Sequence, residues 1–499
     1  MAASQPALRR ELRLWHVVML NISAVAGIRW LAAAAHAGPG SLLLWLVAAL
    51  AFFLPSALVI SSLSQRFPQE GGLYIWTKKA FGDWHGFLCA WLYFVSNICY
   101  FPTLLLSGVA MASFMLGETG IRFSEDARYA IPATLVALWA TFILNLVGLG
   151  IGKWAGILGA ISSYLLAALL IAFGVAIALR DGPATHFHVL PELNFDSVNF
   201  WSQIAFAFVG LEVAPILGGE IFDPGRAIPR AAWISGVTCA AFYMAGTAAM
   251  LFMLAPEKIS TLTGLAQAGQ VAGARFGASW LSPCFALLIT ISVIGQLTSF
   301  VAGNTRLPFA LGLDHYLPSA FARLHPRWHT PYVSILAQGI LSSVLLLLMQ
   351  LGETLRAAYQ ILVDLTVIAT FIPFVYIFAS GFKFGQRWAG AAGWLITVLA
   401  IILSIVPPPG VASVWIFEIK VVGGTALLSL AAWPIFARAW DRGWRWNLCP
   451  STMPTRGSCC TRAKTYLTDT RGRISSRPLG GVSRFRIPER SKIPSASFT

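Results

Sequence analysis

The chain has 499 residues, 57% of them hydrophobic and only 11% charged, with a mean hydropathy of +0.71. Soluble domains carry roughly 25% charged residues, so an ordinary soluble fold is excluded and a protein that crosses the bilayer several times is implied. The net charge of +15 does not point to nucleic acid, because the basic residues lie in short loops and a C-terminal tail rather than on one folded polar face.

Apolar stretches of about 20 residues recur along the chain, each long enough to span ~30 Å of hydrocarbon as a helix. Twelve are placed: 15–36, 41–64, 86–115, 129–148, 155–179, 199–221, 230–254, 281–305, 332–351, 357–381, 391–407 and 415–437. The domain reading is a cytoplasmic N-terminus over 1–14, a transmembrane domain over 15–440 and a basic, disordered tail over 441–499. The tail is rich in Ser, Arg, Pro and Thr and lacks periodicity, which is the composition of a solvated segment. With the N-terminus inside, the inner loops hold fourteen Lys and Arg against six in the outer loops. That asymmetry places both termini in the cytoplasm.

The first segment is interrupted at Ala26-Gly27-Ile28-Arg29, where a charge follows a glycine near the centre. The sixth repeats the pattern at Phe208-Val209-Gly210-Leu211-Glu212. Gly27 lies 12 residues before Pro39, and Gly210 lies 14 before Pro224. Glycine in a helix costs about 1 kcal/mol relative to alanine, and an ionised side chain near the bilayer centre costs about 2.5 kcal/mol or more. Two such breaks, five helices apart, are the signature of an inverted repeat with a binding site at its midplane. The opposing reading, that glycine is simply common in membrane helices, accounts less well for a charge beside each one.

After the second segment, residues 66–91 read as an amphipathic inner loop at the membrane surface, with Tyr74, Trp76, Phe81 and Trp84 as interfacial aromatics. A second inner loop runs from Asn304 to Pro331; His325 and His329 stand four apart, but Pro326 and Pro331 favour a polar turn over a helical metal pair. The seven cysteines have no metal-ligand spacing. No metal or cofactor is expected. Neither H-E-x-x-H nor G-x-S-x-G occurs, so an enzyme is not expected, and the absence of G-x-x-x-x-G-K-[ST] argues against ATP-driven work.

Three spaced motifs carry a family resemblance. Pro68-Gln-Glu-Gly-Gly-Leu-Tyr-Ile-Trp76, then Ala80-Phe-Gly82, resembles the first inner loop of the amino acid-polyamine-organocation superfamily, in particular its bacterial amino-acid permeases and antiporters. Phe208-x-Gly210-x-Glu212 with Glu220, Pro224, Arg226 and Ile228-Pro-Arg-Ala231 resembles its sixth helix and exit turn. Arg306, Phe309-Ala310, Asp314, Leu317-Pro318 and Thr330-Pro331 resemble its loop between helices 8 and 9.

The resemblance covers residues 13–437 and implies an all-α integral membrane protein of twelve helices. Ten would form a five-plus-five inverted repeat with helices 1 and 6 broken, and two would be additional. It further implies secondary active transport of amino acids or related amines across the cell (inner) membrane by alternating access, driven by protons or exchange. A polyamine transporter and a non-transporting amino-acid sensor are the alternatives. Small-molecule substrate and lipid bilayer are the expected partners, and self-association is left open.

On this reading Ala26, Gly27, Ile28, Arg29, Phe208, Val209, Gly210, Leu211, Asn97 and Asn304 form the substrate site, and Glu212, Asp364 and Phe206 serve gating or proton coupling. Phe206 and Phe208 read as lids over the substrate or as ordinary packing, and Trp201 as an interface anchor. The chain departs from the family in its first break, where a Gly-Ser-Gly-like run is replaced by one with fewer glycines and an arginine. Arg29 has three readings: it contacts an acidic substrate, pairs with Glu212, or faces water. The pair with Glu212 is the working expectation.

Overall fold

A bilayer offers the backbone no hydrogen-bonding partner, so apolar spanning segments must satisfy their own N–H and C=O groups, and helices result. The computed structural model describes residues 8–123, 126–187, 195–349, 355–405, 415 and 418–447, and these are overwhelmingly helical. Contacts divide the chain into Met1–Arg442, which holds the helical body, and Gly443–Thr499. Most of the expected tail, from 448 on, lies outside the described residues.

The helices are α1 (Leu14–Val25), α2 (Arg29–His36), α3 (Ser41–Ala48), α4 (Leu54–Arg66), α5 (Leu73–Phe81) and α6 (Asp83–Ala112). They continue with α7 (Glu118–Phe123), α8 (Ala127–Leu146), α9 (Leu149–Asp181), α10 (Phe195–Phe206), α11 (Val213–Ile216) and α12 (Pro224–Met253). The remainder are α13 (Gly264–Phe276), α14 (Leu281–Asn304), α15 (Arg306–Leu313), α16 (Tyr332–Met349), α17 (Leu355–Lys383), α18 (Arg387–Ile405) and α19 (Gly424–Asn447). Among the described residues, 9 helical stretches are long and apolar enough to cross a membrane. The expected sixth segment is not among them because it is broken, the ninth is shorter as Tyr332–Leu348, and part of the twelfth lies outside the described residues.

The burial pattern fits lipid outside and polarity inside. Leu179, Val136, Leu395 and Leu430 are largely exposed, whereas Glu212, Arg29, Asn97, Gln296 and Asp364 are buried. In hydrocarbon, polar side chains turn inward to find partners, and the apolar faces meet the lipid. The centre is built by α1, α6, α12 and α14, with α9 and α17 packed around them.

Two expectations are corrected. Residues 66–91 do not form a surface-lying loop: α5 packs on α6 and α17, and Tyr74 and Trp76 are completely buried. The period of the loop's apolar residues is helical in either setting, so the sequence pattern does not distinguish a membrane surface from a protein surface as the partner. Trp201 is half-buried against the core, with its indole Nε1 enclosed, so it is packing rather than an interfacial anchor.

Candidate functional site: two facing helix breaks and a clasp at one end

The first segment stops being helical after Val25 and resumes at Arg29; the sixth stops after Phe206 and resumes at Val213. Gly210 has φ +136°, a backbone conformation that side chains rarely adopt. A Cβ there would lie 3.0 Å from the Val25 side chain and 3.1 Å from the Ala24 carbonyl carbon. Glycine at 210 therefore both opens the helix and lets its backbone touch the first segment.

The two breaks are tied together by a residue that sequence reasoning missed. The Tyr243 hydroxyl, on α12, accepts the Gly27 N–H at 3.0 Å, lies 2.9 Å from the Ala207 carbonyl, and also meets the Val25 carbonyl. One hydroxyl proton is thus shared between carbonyls of both breaks. Trp45 stacks on the Tyr243 ring at 4.3 Å and donates its indole N–H to Thr247 at 3.0 Å, which fixes the ring. A tyrosine in the middle of an apolar run was the available signal.

Glu212 is fully buried. It accepts the Tyr93 hydroxyl at 2.7 Å and the Gly210 N–H at 2.9 Å. Arg29 is 3% exposed and does not face water. Its guanidinium carbon sits 4.4 Å from the centroid of the Trp30 ring and 5.0 Å from that of Tyr100. No ion pair joins Arg29 to Glu212 among the described residues, and Arg29 Nε and Nη1 have no hydrogen-bond partner. The expected pair is corrected: Glu212 is satisfied by neutral donors across the break, and Arg29 is held by aromatic faces.

The other expected site residues divide. Phe206 joins the ring cluster beside Arg29, with centroids 5.7 Å from Trp30 and 6.1 Å from Tyr100. Phe208 turns instead toward Trp45, Phe53 and Tyr243, so its side chain is packing behind the break. Among the described residues no group donates to the Phe208 or Val209 carbonyl, and none accepts the N–H of Ile28 or Arg29. Asn97, on α6, donates back to the Tyr93 carbonyl of its own helix at 2.9 Å, and Asn304 donates to the Phe94 carbonyl of α6 at 3.4 Å. Gln296 reaches the Ala24 carbonyl at 2.8 Å. Asp364 is buried in α17 at 1% exposure.

At one end of the unit the three sequence motifs converge. Arg306 donates to Glu220 at 2.8 Å and 3.4 Å with both residues buried. Glu70 is seated against Gly219, where a Cβ would come within 2.2 Å of its Oε2. Burial, and then the Glu220 charge, push the Glu70 carboxyl up to about 8 against the pull of Arg306. Lys78 bonds Asp314 at 2.6 Å, and Tyr74 donates to the same carboxylate. Residues 11–12 pair with the exit of the sixth segment: Glu11 and Leu12 donate to the Glu220 carbonyl at 2.9 and 3.0 Å, and Leu12 bridges Ile221 in parallel. His325 lies in a turn, where its ring stacks on Trp328 and its Nδ1 accepts the N–H of Arg327 at 3.3 Å.

These features define a multi-pass helical membrane protein with a polar centre between two interrupted segments. The amino acid permease family model matches residues 12–434, and the chain belongs to that family. An uncharacterized transporter of Legionella pneumophila is 25% identical over 87% of this chain and 98% of its own length. The serine/threonine exchanger SteT of Bacillus subtilis is 25% identical over 86% of this chain and 96% of its own. The probable agmatine/putrescine antiporter AguD of Lactococcus lactis is 25% identical over 68% of this chain and 72% of its own. The superfamily resemblance carried by the three motifs is thereby established for most of the chain.

Proposed function

We propose that the protein is a secondary active transporter of amino acids or related amines, working by alternating access with exchange or proton coupling. The observation that carries this is the pair of breaks joined through Tyr243, which leaves backbone N–H groups open at the start of α2 and carbonyls open at 208–209. A half-helix N-terminus attracts an anion and free carbonyls attract a cation. An amino acid carries both charges. Breaks of this kind at the interface of a twelve-helix, five-plus-five inverted repeat give a site that faces each side of the membrane in turn.

Glu212 and Tyr93 then act as a latch between the sixth segment and α6, with Glu212 the group whose proton or hydrogen bonds change during the cycle. Asp364 is assigned a second gating or coupling role, and Phe206 covers the site. The protein resides in the cell (inner) membrane with both termini in the cytoplasm, which makes the clasp at Arg306 and Glu220 the inner gate. The test is accumulation of labelled amino acids and amines by the purified protein in proteoliposomes. Saturable, counterflow-stimulated uptake supports the reading; ligand binding without accumulation would identify a sensor instead.

A further inference from the structure

We infer that Arg29 is an anion-recognising residue of the central break and that it selects a substrate with a second carboxylate, a dicarboxylic amino acid. This deepens the transport reading and rests on it.

Arg29 is 97% enclosed, yet two of its nitrogens, Nε and Nη1, have no acceptor. A buried charge is ordinarily paired or hydrogen-bonded. Glu212 does not supply the partner, because it is occupied by Tyr93 and the Gly210 N–H. What the structure provides is support without neutralisation. The Trp30 and Tyr100 rings hold the guanidinium at 4.4 and 5.0 Å and leave its donors unspent. A planar fork of donors is matched by a carboxylate, which takes two parallel hydrogen bonds.

A second set of donors lies at the start of the same helix. The N–H groups of Ile28 and Arg29 open the N-terminus of α2 and have no acceptor among the described residues. Two donor sets, one of backbone and one of side chain, suit two carboxylates, while the open carbonyls of Phe208 and Val209 suit the amino group. A neutral amino acid fills one donor set only and leaves Arg29 unpaired. A diamine fares worse, because the aromatic faces that would receive its cation already hold one.

The test uses the full-length protein with L-glutamate, L-serine and putrescine, measured as melting-temperature shift in detergent and as labelled uptake in proteoliposomes. The wild type is expected to prefer L-glutamate over L-serine at least tenfold. In Arg29→Gln that ratio falls at least tenfold, and Arg29→Lys retains part of it. A preference for serine or putrescine in the wild type, or an unchanged ratio in Arg29→Gln, overturns the inference and leaves the transport reading standing. Equal loss of glutamate and serine binding also overturns it, since Arg29 would then serve the carboxylate common to both. A glutamate shift that depends on Arg29, with no uptake of any compound, supports the anion site and overturns transport. No shift and no uptake overturn both.

Discussion

The centre and the clasped end of this protein treat buried charge in opposite ways. At the end, buried Arg306 meets buried Glu220 at 2.8 Å, and the part-exposed Lys78 meets Asp314 at 2.6 Å; cation and carboxylate are joined. At the centre, Arg29 and Glu212 are both buried and not joined to each other. A paired charge is a structural fastening, and removing one partner leaves the other stranded. Arg29 is instead supported by the Trp30 and Tyr100 rings, with Nε and Nη1 unpaired. The difference is the ground on which we propose holding for one region and recognition for the other.

The largest effect is expected at the clasp. Arg306→Ala strands the Glu220 carboxylate and should lower stability by about 3–5 kcal/mol, read as a fall in melting temperature and in the yield of folded protein. Arg306→Met combined with Glu220→Leu should recover most of that loss, since a buried pair exchanged for apolar residues of similar volume is often neutral. Failure of the double variant to recover would mean the pair does more than fasten.

Next comes Tyr243→Phe, which removes the group serving Gly27, Val25 and Ala207 together. Leaving a buried donor unsatisfied costs about 1–3 kcal/mol, so a lower melting temperature with weaker substrate binding is expected. Tyr93→Phe should act in the same direction through Glu212 and alter the pH dependence of uptake, whereas a purely structural Tyr93 would change stability alone.

The last effect concerns Glu70 and is a dependence on pH. Its carboxyl is raised from 4.5 to about 8, so the folded protein binds this proton more tightly than the unfolded chain. The contribution to stability is fully present below about pH 4.5 and declines as pH rises toward 8. Glu70→Gln should flatten melting temperature across that window. An unchanged slope would show that Glu70 is not the group responsible.

Much of the architecture was legible in the sequence because membrane helices are written as long apolar runs, and both breaks were marked by a glycine beside a charge. Glu212 and Arg29 were found for that reason. Their partners were not legible. Whether Arg29 meets Glu212 depends on rotation about the helix axes and on rings contributed by Trp30 and Tyr100, which spacing along the chain does not encode. Tyr243 lies 216 residues from the N–H it accepts, beyond any local pattern. The motif at residues 68–76 signalled importance, but its cause is tertiary: Gly71 donates to the Ile216 carbonyl at 3.1 Å, and Glu70 fits against Gly219.

The central claim is that the clasped end holds and must release during transport while the centre binds. A Leu12→Cys, Ile221→Cys pair, introduced after replacement of the seven native cysteines, places a reversible cross-link across the backbone bridge. Under oxidation, ligand should still raise the melting temperature while uptake into proteoliposomes stops, and reduction should restore uptake. Uptake by the cross-linked protein at the reduced rate would contradict the account, because this end would then remain shut throughout the cycle.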